Sequence, residues 1–183
     1  MEDEELERIL REKALSFLKK AKEGDKKEYY VEKVTASSRN GVYVYEPSKR
    51  MWRLLREEGE AFKLGELGPG VYVVYFDNTL CKACRLYDNY WYSFIDKYGD
   101  ASGTYYVIVL CDWFTIKCSS EAAKKSFKEY SIKASPTTIV ALVEDSKIVY
   151  REVYEGVLSF EELERTVLGF RDRARKALGG AVV

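Results

Sequence analysis

The stretch Val71-Tyr72-Val73-Val74-Tyr75-Phe76-Asp77-Asn78-Thr79-Leu80-Cys81-Lys82-Ala83-Cys84-Arg85 decides the fold. The unbroken apolar run Val71 to Phe76 reads as a strand buried on both faces. The run Arg85 to Tyr98 reads as a helix, with Cys84, Tyr87, Trp91, Phe94, Ile95 and Tyr98 on one face. That aromatic stripe reads as core packing. A Cys-x-x-Cys pair at a strand-to-helix junction is the pattern of a dithiol redox site. The helix start supplies the physical reason. Its unpaired N–H groups and positive dipole end favour a thiolate, the nucleophile of disulfide exchange. Asn78 or Thr79 is placed to cap the helix, and Lys82 adds a positive charge beside Cys81. Two intervening residues let the second thiol attack a mixed disulfide formed on the first. The spacing alone leaves two other readings open: small core residues, or half of a zinc site.

Further out, the chain alternates between strand-like and helix-like runs. Residues 105–110 read as a second buried strand, 119–130 as a helix, and 137–143 and 147–153 as strands joined by a turn at Glu144-Asp145-Ser146. A last helix runs from Phe160 to about Lys176, and its terminal basic residues match the helix dipole. On the N-terminal side, residues 28–35 read as a strand, and Asn40-Gly41 turns into the strand Val42–Tyr45, with which the added strand is expected to pair antiparallel. Pro47 and Ser48 are expected to open a short helix containing Met51, Trp52, Leu54 and Leu55. Residues 65–70 read as a loop. Residues 4–22 form a periodic helix with Leu6, Ile9, Leu10, Ala14, Phe17, Leu18 and Ala21 on one face, expected to pack on the domain or in a dimer.

Composition narrows the function. Thirty basic and thirty acidic residues cancel, so no net field favours nucleic acid or an anionic membrane. No apolar run approaches the ~18 residues of a membrane span. The acidic start Met1-Glu2-Asp3-Glu4-Glu5 is opposite to a secretory signal, so a cytoplasmic location is expected. The absence of histidine removes imidazole catalysis and histidine-ligated metals. Charged residues make up 33%, with no glutamine and three asparagines, a pattern that fits a hyperthermophile. In such cells intracellular disulfides persist.

From residue 41 the expected element order is β-α-β-α-β-α-β-β-α. This resembles the thioredoxin-like superfamily, and residues 41–177 cover the whole of that fold. Cys81 and Cys84 fall where that family keeps its redox pair. Ile132-Lys133-Ala134-Ser135-Pro136-Thr137 resembles its cis-proline segment, and Gly156 with Ser159 resembles its closing glycine turn. The resemblance implies a three-layer α/β/α fold about a mixed sheet, here extended by an N-terminal helix and strand (residues 1–40) and a short tail (178–183). It implies Cys81 as the exposed attacking thiol, Cys84 as the buried resolving thiol, a cis Pro136, and Ser135 offering its backbone to substrate. Lys82 and Ala83 would flank that substrate. Two local differences stand out. The thioredoxins proper carry Trp-Cys-Gly-Pro-Cys where this chain has Leu80-Cys81-Lys82-Ala83-Cys84. Their buried carboxylate, six residues before the first cysteine, is here Tyr75, while Asp77 lies four before it. Deprotonation of Cys84 is then left to water or the substrate.

Cys111 and Cys118 flank Asp112-Trp113-Phe114-Thr115-Ile116-Lys117. The leading expectation is a structural disulfide; a second redox pair or two free thiols, and a four-cysteine zinc site with Cys81 and Cys84, remain open. The function expected overall is thiol–disulfide oxidoreductase activity on protein disulfides or dithiols. It needs no bound cofactor or metal, and draws electrons from a reductase or small thiol. The chain would be a monomer or homodimer without nucleic-acid or membrane partners. The alternatives are a non-catalytic adaptor of the same fold and a zinc module.

Overall fold

The computed structural model describes residues 5, 7–16 and 28–180. Residues 7–16 form helix α1. Seven strands then build one sheet: β1 (Tyr30–Val31), β2 (Gly41–Glu46), β3 (Met51–Arg56), β4 (Gly70–Asn78), β5 (Thr104–Cys111), β6 (Thr137–Glu144) and β7 (Lys147–Glu155). Helix α2 (Lys82–Tyr98) joins β4 to β5, and α3 (Glu121–Glu129) joins β5 to β6. The chain closes with α4 (Phe160–Leu163), a five-residue π-helical segment (Glu164–Leu168) and α5 (Phe170–Ala177). The spatial order is β1-β3-β2-β5-β4-β6-β7. Only β4 and β5 pair in parallel; every other neighbour is antiparallel. The result is an α/β architecture with a central mixed sheet.

Period-two alternation divides the core into two layers. On β4, Val71, Val73 and Tyr75 face the layer that holds Cys84, Tyr87, Trp91 and Phe94 of α2, with Leu163 and Phe170 from the C-terminal helices. Tyr72, Val74 and Phe76 face the opposite layer, closed by Ala122, Ala123 and Phe127 of α3. The aromatic stripe of α2 is therefore core: Tyr87, Trp91 and Phe94 are fully buried. At the start of β4, Gly70 has φ +146, and a Cβ there would lie 2.6 Å from the Gly103 carbonyl. The backbone of β4 can approach the turn before β5 only with glycine at that position.

Two expectations for the N-terminal third are corrected. Residues 51–56 are a strand, not a helix. The turn after β2 ends on Arg50 at φ +53, which reverses the chain. Trp52 then pairs with Tyr45 across the hairpin, their tilted rings 5.3 Å apart. In place of the expected helix, residues 61–64 cover the second layer. Phe62 N–H donates to Ser126 Oγ (2.8 Å), and Leu64 N–H to the Tyr130 hydroxyl (2.9 Å). The added strand β1 is two residues long and pairs with β3 rather than with residues 42–45, because β3 occupies that edge. Within the described part of α1, Ile9, Leu10 and Ala14 are exposed, Leu10 by 58%. Leu6, Phe17, Leu18 and Ala21 lie outside the described residues. No helix among the described residues is long and apolar enough to cross a membrane.

Candidate functional site

The site lies at the C-terminal ends of the parallel strands β4 and β5. Asn78 of β4 registers with Cys111 of β5, so both chains leave the sheet side by side. Thr79 N–H donates to the Cys111 carbonyl (2.9 Å) and Leu80 N–H to the Asp112 carbonyl (3.2 Å). The Asp112 carboxylate accepts from Thr79 Oγ1 (2.8 Å) and Asn40 Nδ2 (3.1 Å), and Phe114 N–H donates to Asn78 Oδ1 (2.7 Å). These bonds lock the turn before Cys81 to the loop after β5.

Cys81 itself is the N-cap of α2, in place of the expected Asn78 or Thr79. Its Sγ accepts from Cys84 N–H at 3.2 Å. It also donates to the Ser135 carbonyl at 3.4 Å. These two bonds turn the side chain inward. Cys81 is therefore 6% exposed rather than the open thiol expected, while Cys84 is fully buried. Lys82 and Ala83 are exposed beside them. The Ser135–Pro136 peptide is cis, and Gly156 N–H donates to the Pro136 carbonyl (2.8 Å). Ser135 also reaches the second cysteine: its Oγ lies 2.9 Å from Cys84 Sγ. Only its backbone was expected to matter.

Beneath Cys84 lies a cluster that sequence reasoning missed. Asp77 is 1% exposed, and its Oδ1 accepts from the Arg85 guanidinium at 2.5 Å. Arg85 Nε also lies 3.3 Å from Asp88 Oδ2. The Tyr75 hydroxyl donates to Asp88 Oδ1 (3.0 Å) and lies 3.2 Å from the Cys84 carbonyl. Burial raises the Asp77 carboxyl above the usual carboxylate range, and Arg85, Tyr75 and Cys84 partly oppose that rise. Burial, then the charge of Asp77, pushes the Asp88 carboxyl up to about 7. Burial, then the charge of Asp77, also pushes the Cys84 thiol up. The signal was present in the sequence: residues 75 and 77 of one strand share a face. Asp77 thus places a buried carboxylate near Cys84.

Cys111 and Cys118 are joined in a disulfide. Cys111 packs in the layer of Phe76 and Phe127, whereas Cys81 and Cys84 pack in the layer of Tyr75 and Trp91. The sheet separates the pairs, so the four cysteines do not converge on one point as a four-cysteine zinc site requires. Among the described residues no three metal-ligating side chains cluster. The disulfide loop presents Trp113 and Ile116, 41% and 85% exposed, beside Leu80, 58% exposed.

No family model and no curated protein sequence matches the chain. Among solved structures it is similar to a chloroplastic thioredoxin z (12% identity, 62% of this chain and 96% of that one, TM-score 0.44). A thioredoxin from Aeropyrum pernix gives 14% identity, 75% and 98% coverage, and TM-score 0.44. A malaria-parasite thioredoxin-2 gives 19%, 63% and 98%, and 0.43. Likeness at this level assigns neither activity nor partner to this chain.

Proposed function

We propose that the protein is a thiol–disulfide oxidoreductase acting on protein disulfides through Cys81 and Cys84. The observation that carries the reading is Cys81 at the N-cap of α2, receiving the Cys84 N–H and facing the Ser135 carbonyl next to the cis Pro136. In the reducing direction, the Cys81 thiolate attacks one sulfur of a substrate disulfide. A mixed disulfide forms and one substrate thiolate leaves. Cys84 then loses its proton to the Asp77 carboxylate and attacks Cys81 Sγ. The second substrate thiolate leaves, protons return to both, and the protein holds a Cys81–Cys84 disulfide. An external dithiol or small thiol restores the reduced pair by the same exchange. Burial keeps Cys84 protonated until the mixed disulfide forms, which supports its role as the resolving thiol. Leu80, Trp113 and Ile116 would receive apolar side chains flanking the substrate cysteine.

The reading places the chemistry within residues 41–177, in the cytoplasm of a cell where intracellular disulfides persist, as in hyperthermophiles. Its test is catalysed reduction of a polypeptide disulfide by an external dithiol. Wild type should accelerate the reaction and Cys81→Ser should not. Equal rates for the two proteins would leave a non-catalytic adaptor as the better reading.

A further inference from the structure

A groove of about 690 Å³ opens between α3 and the turn that follows it. Lys124, Lys125, Lys128 and Lys133 line it, against one carboxylate, Glu121. Its floor is apolar, formed by Phe127 and Ile132. Lys125 is held by Glu60 at 3.0 Å. Among the described residues Lys124, Lys128 and Lys133 have no carboxylate within 4 Å; neither do Lys82 and Lys117, which flank Cys81 and the disulfide loop. The groove lining thus carries four lysines against Glu121, with Glu60 and Glu129 on the adjoining surface.

Two of the groove's lining residues, Thr115 and Lys133, lie on segments that lead to the redox site. Thr115 belongs to the disulfide loop beside Leu80. Lys133 is two residues before Ser135, whose carbonyl meets Cys81 Sγ. Two residues span at most roughly 7 Å of chain, so the backbone of Lys133 lies within about 10 Å of the Ser135 carbonyl that meets that sulfur. An extended peptide advances about 3.3 Å per residue, so positions about three to six from an engaged cysteine would lie over the lysines.

We propose that this groove binds an acidic extended segment of the protein substrate, about three to six residues from the cysteine that Cys81 attacks. The inference rests on the exchange reading above and adds what selects the substrate. Lysine ammonium groups on an open face attract carboxylates without fixed geometry, which suits a variable flanking segment. The apolar floor accepts one aliphatic side chain between them. Such contacts set specificity and encounter rate more than raw affinity, and weaken with salt.

Three disulfide peptides test this, identical except for Glu, Gln or Lys at positions three to six from the cysteine. For wild type, kcat/KM for the Glu peptide should exceed that for the Gln peptide by about tenfold at low salt. The Lys peptide should fall below both. In Lys124→Glu/Lys128→Glu the Glu-to-Gln ratio should drop to one or less; a ratio cancels any change in the thiol chemistry itself. A ratio near one for wild type, or a preference that survives charge reversal, overturns the proposal. So does an equal preference when the acidic run is moved ten residues from the cysteine, because the attraction is then general. If wild type fails to reduce even a small neutral disulfide, the exchange reading falls by itself. The groove is then judged by fluorescence anisotropy of the labelled Glu peptide. Binding at least tenfold weaker in the charge-reversed protein supports it, and equal binding overturns it.

Discussion

Two cysteine pairs sit at the same end of one sheet, and their surroundings differ. Cys81 and Cys84 begin a helix, touch the Ser135 hydroxyl and carbonyl, and lie above a buried carboxylate. Cys111 and Cys118 lie on the other side of the sheet, bonded to each other, and close a six-residue loop. The first pair has proton donors, an acceptor and a cis-proline turn around it. The second is surrounded by apolar side chains and tethers a loop. The pair proposed as reactive differs from the pair proposed as structural in the neighbouring polar groups, more than in the spacing of the cysteines. The two are nevertheless connected, since the loop that the disulfide closes is bonded through Asp112 to Thr79, just before Cys81.

The sharpest contrast is expected in activity. Cys81→Ser should remove catalysed disulfide reduction altogether, whereas Cys111→Ala/Cys118→Ala should keep most of it. Loss of activity in the folded double variant would make the second pair a relay across the sheet. The next largest effect concerns Asp77. Asp77→Asn keeps the shape but removes the base, and resolution of the mixed disulfide should slow by about a hundredfold. Single-turnover kinetics should show attack by Cys81 unchanged and resolution slowed; slowing of both steps equally would point to misfolding instead.

Stability effects come third. Removing the Cys111–Cys118 bond should cost about 2–3 kcal/mol, from the freedom regained by the unfolded chain. Chemical denaturation under non-reducing conditions measures it, with a shifted midpoint and little change in activity. The smallest effect is a pH dependence. The Asp88 carboxyl, raised to about 7, binds a proton in the folded protein that the unfolded chain releases near pH 4. Its contribution is therefore fully present below about pH 4 and is lost as pH rises through about 7. Asp88→Asn should flatten the decline in melting temperature between these values. An unaltered slope would mean that Asp88 is ionised throughout.

Much of this was legible in the sequence, and the failures have physical causes. The continuous apolar runs of β4 and β5, the alternation of β7 and the stripe of α2 each declared their elements locally. Asp145 and Ser146, both at positive φ, make the tight turn expected between β6 and β7. Met51-Trp52-Arg53-Leu54-Leu55-Arg56 was not decidable by period, because a short mixed run fits helix and strand alike. Its state is set by a partner, the pairing of Trp52 with Tyr45 and of Arg53 with Val44. The same holds for the separation of the cysteine pairs, which depends on the register of β4 against β5. The Asp77–Arg85–Asp88 cluster needed strand parity and helix phase to be combined, though each was readable alone.

Trapping tests most directly whether Cys81 performs the exchange. Cys84→Ser protein, reduced and then freed of thiol, is incubated with a disulfide-bonded polypeptide, quenched in acid and mapped by mass spectrometry. A stable mixed disulfide through Cys81 should accumulate to about one per chain and disappear only when external thiol is added. Absence of any adduct, or an adduct carried by Cys111 or Cys118 instead, would contradict the assignment.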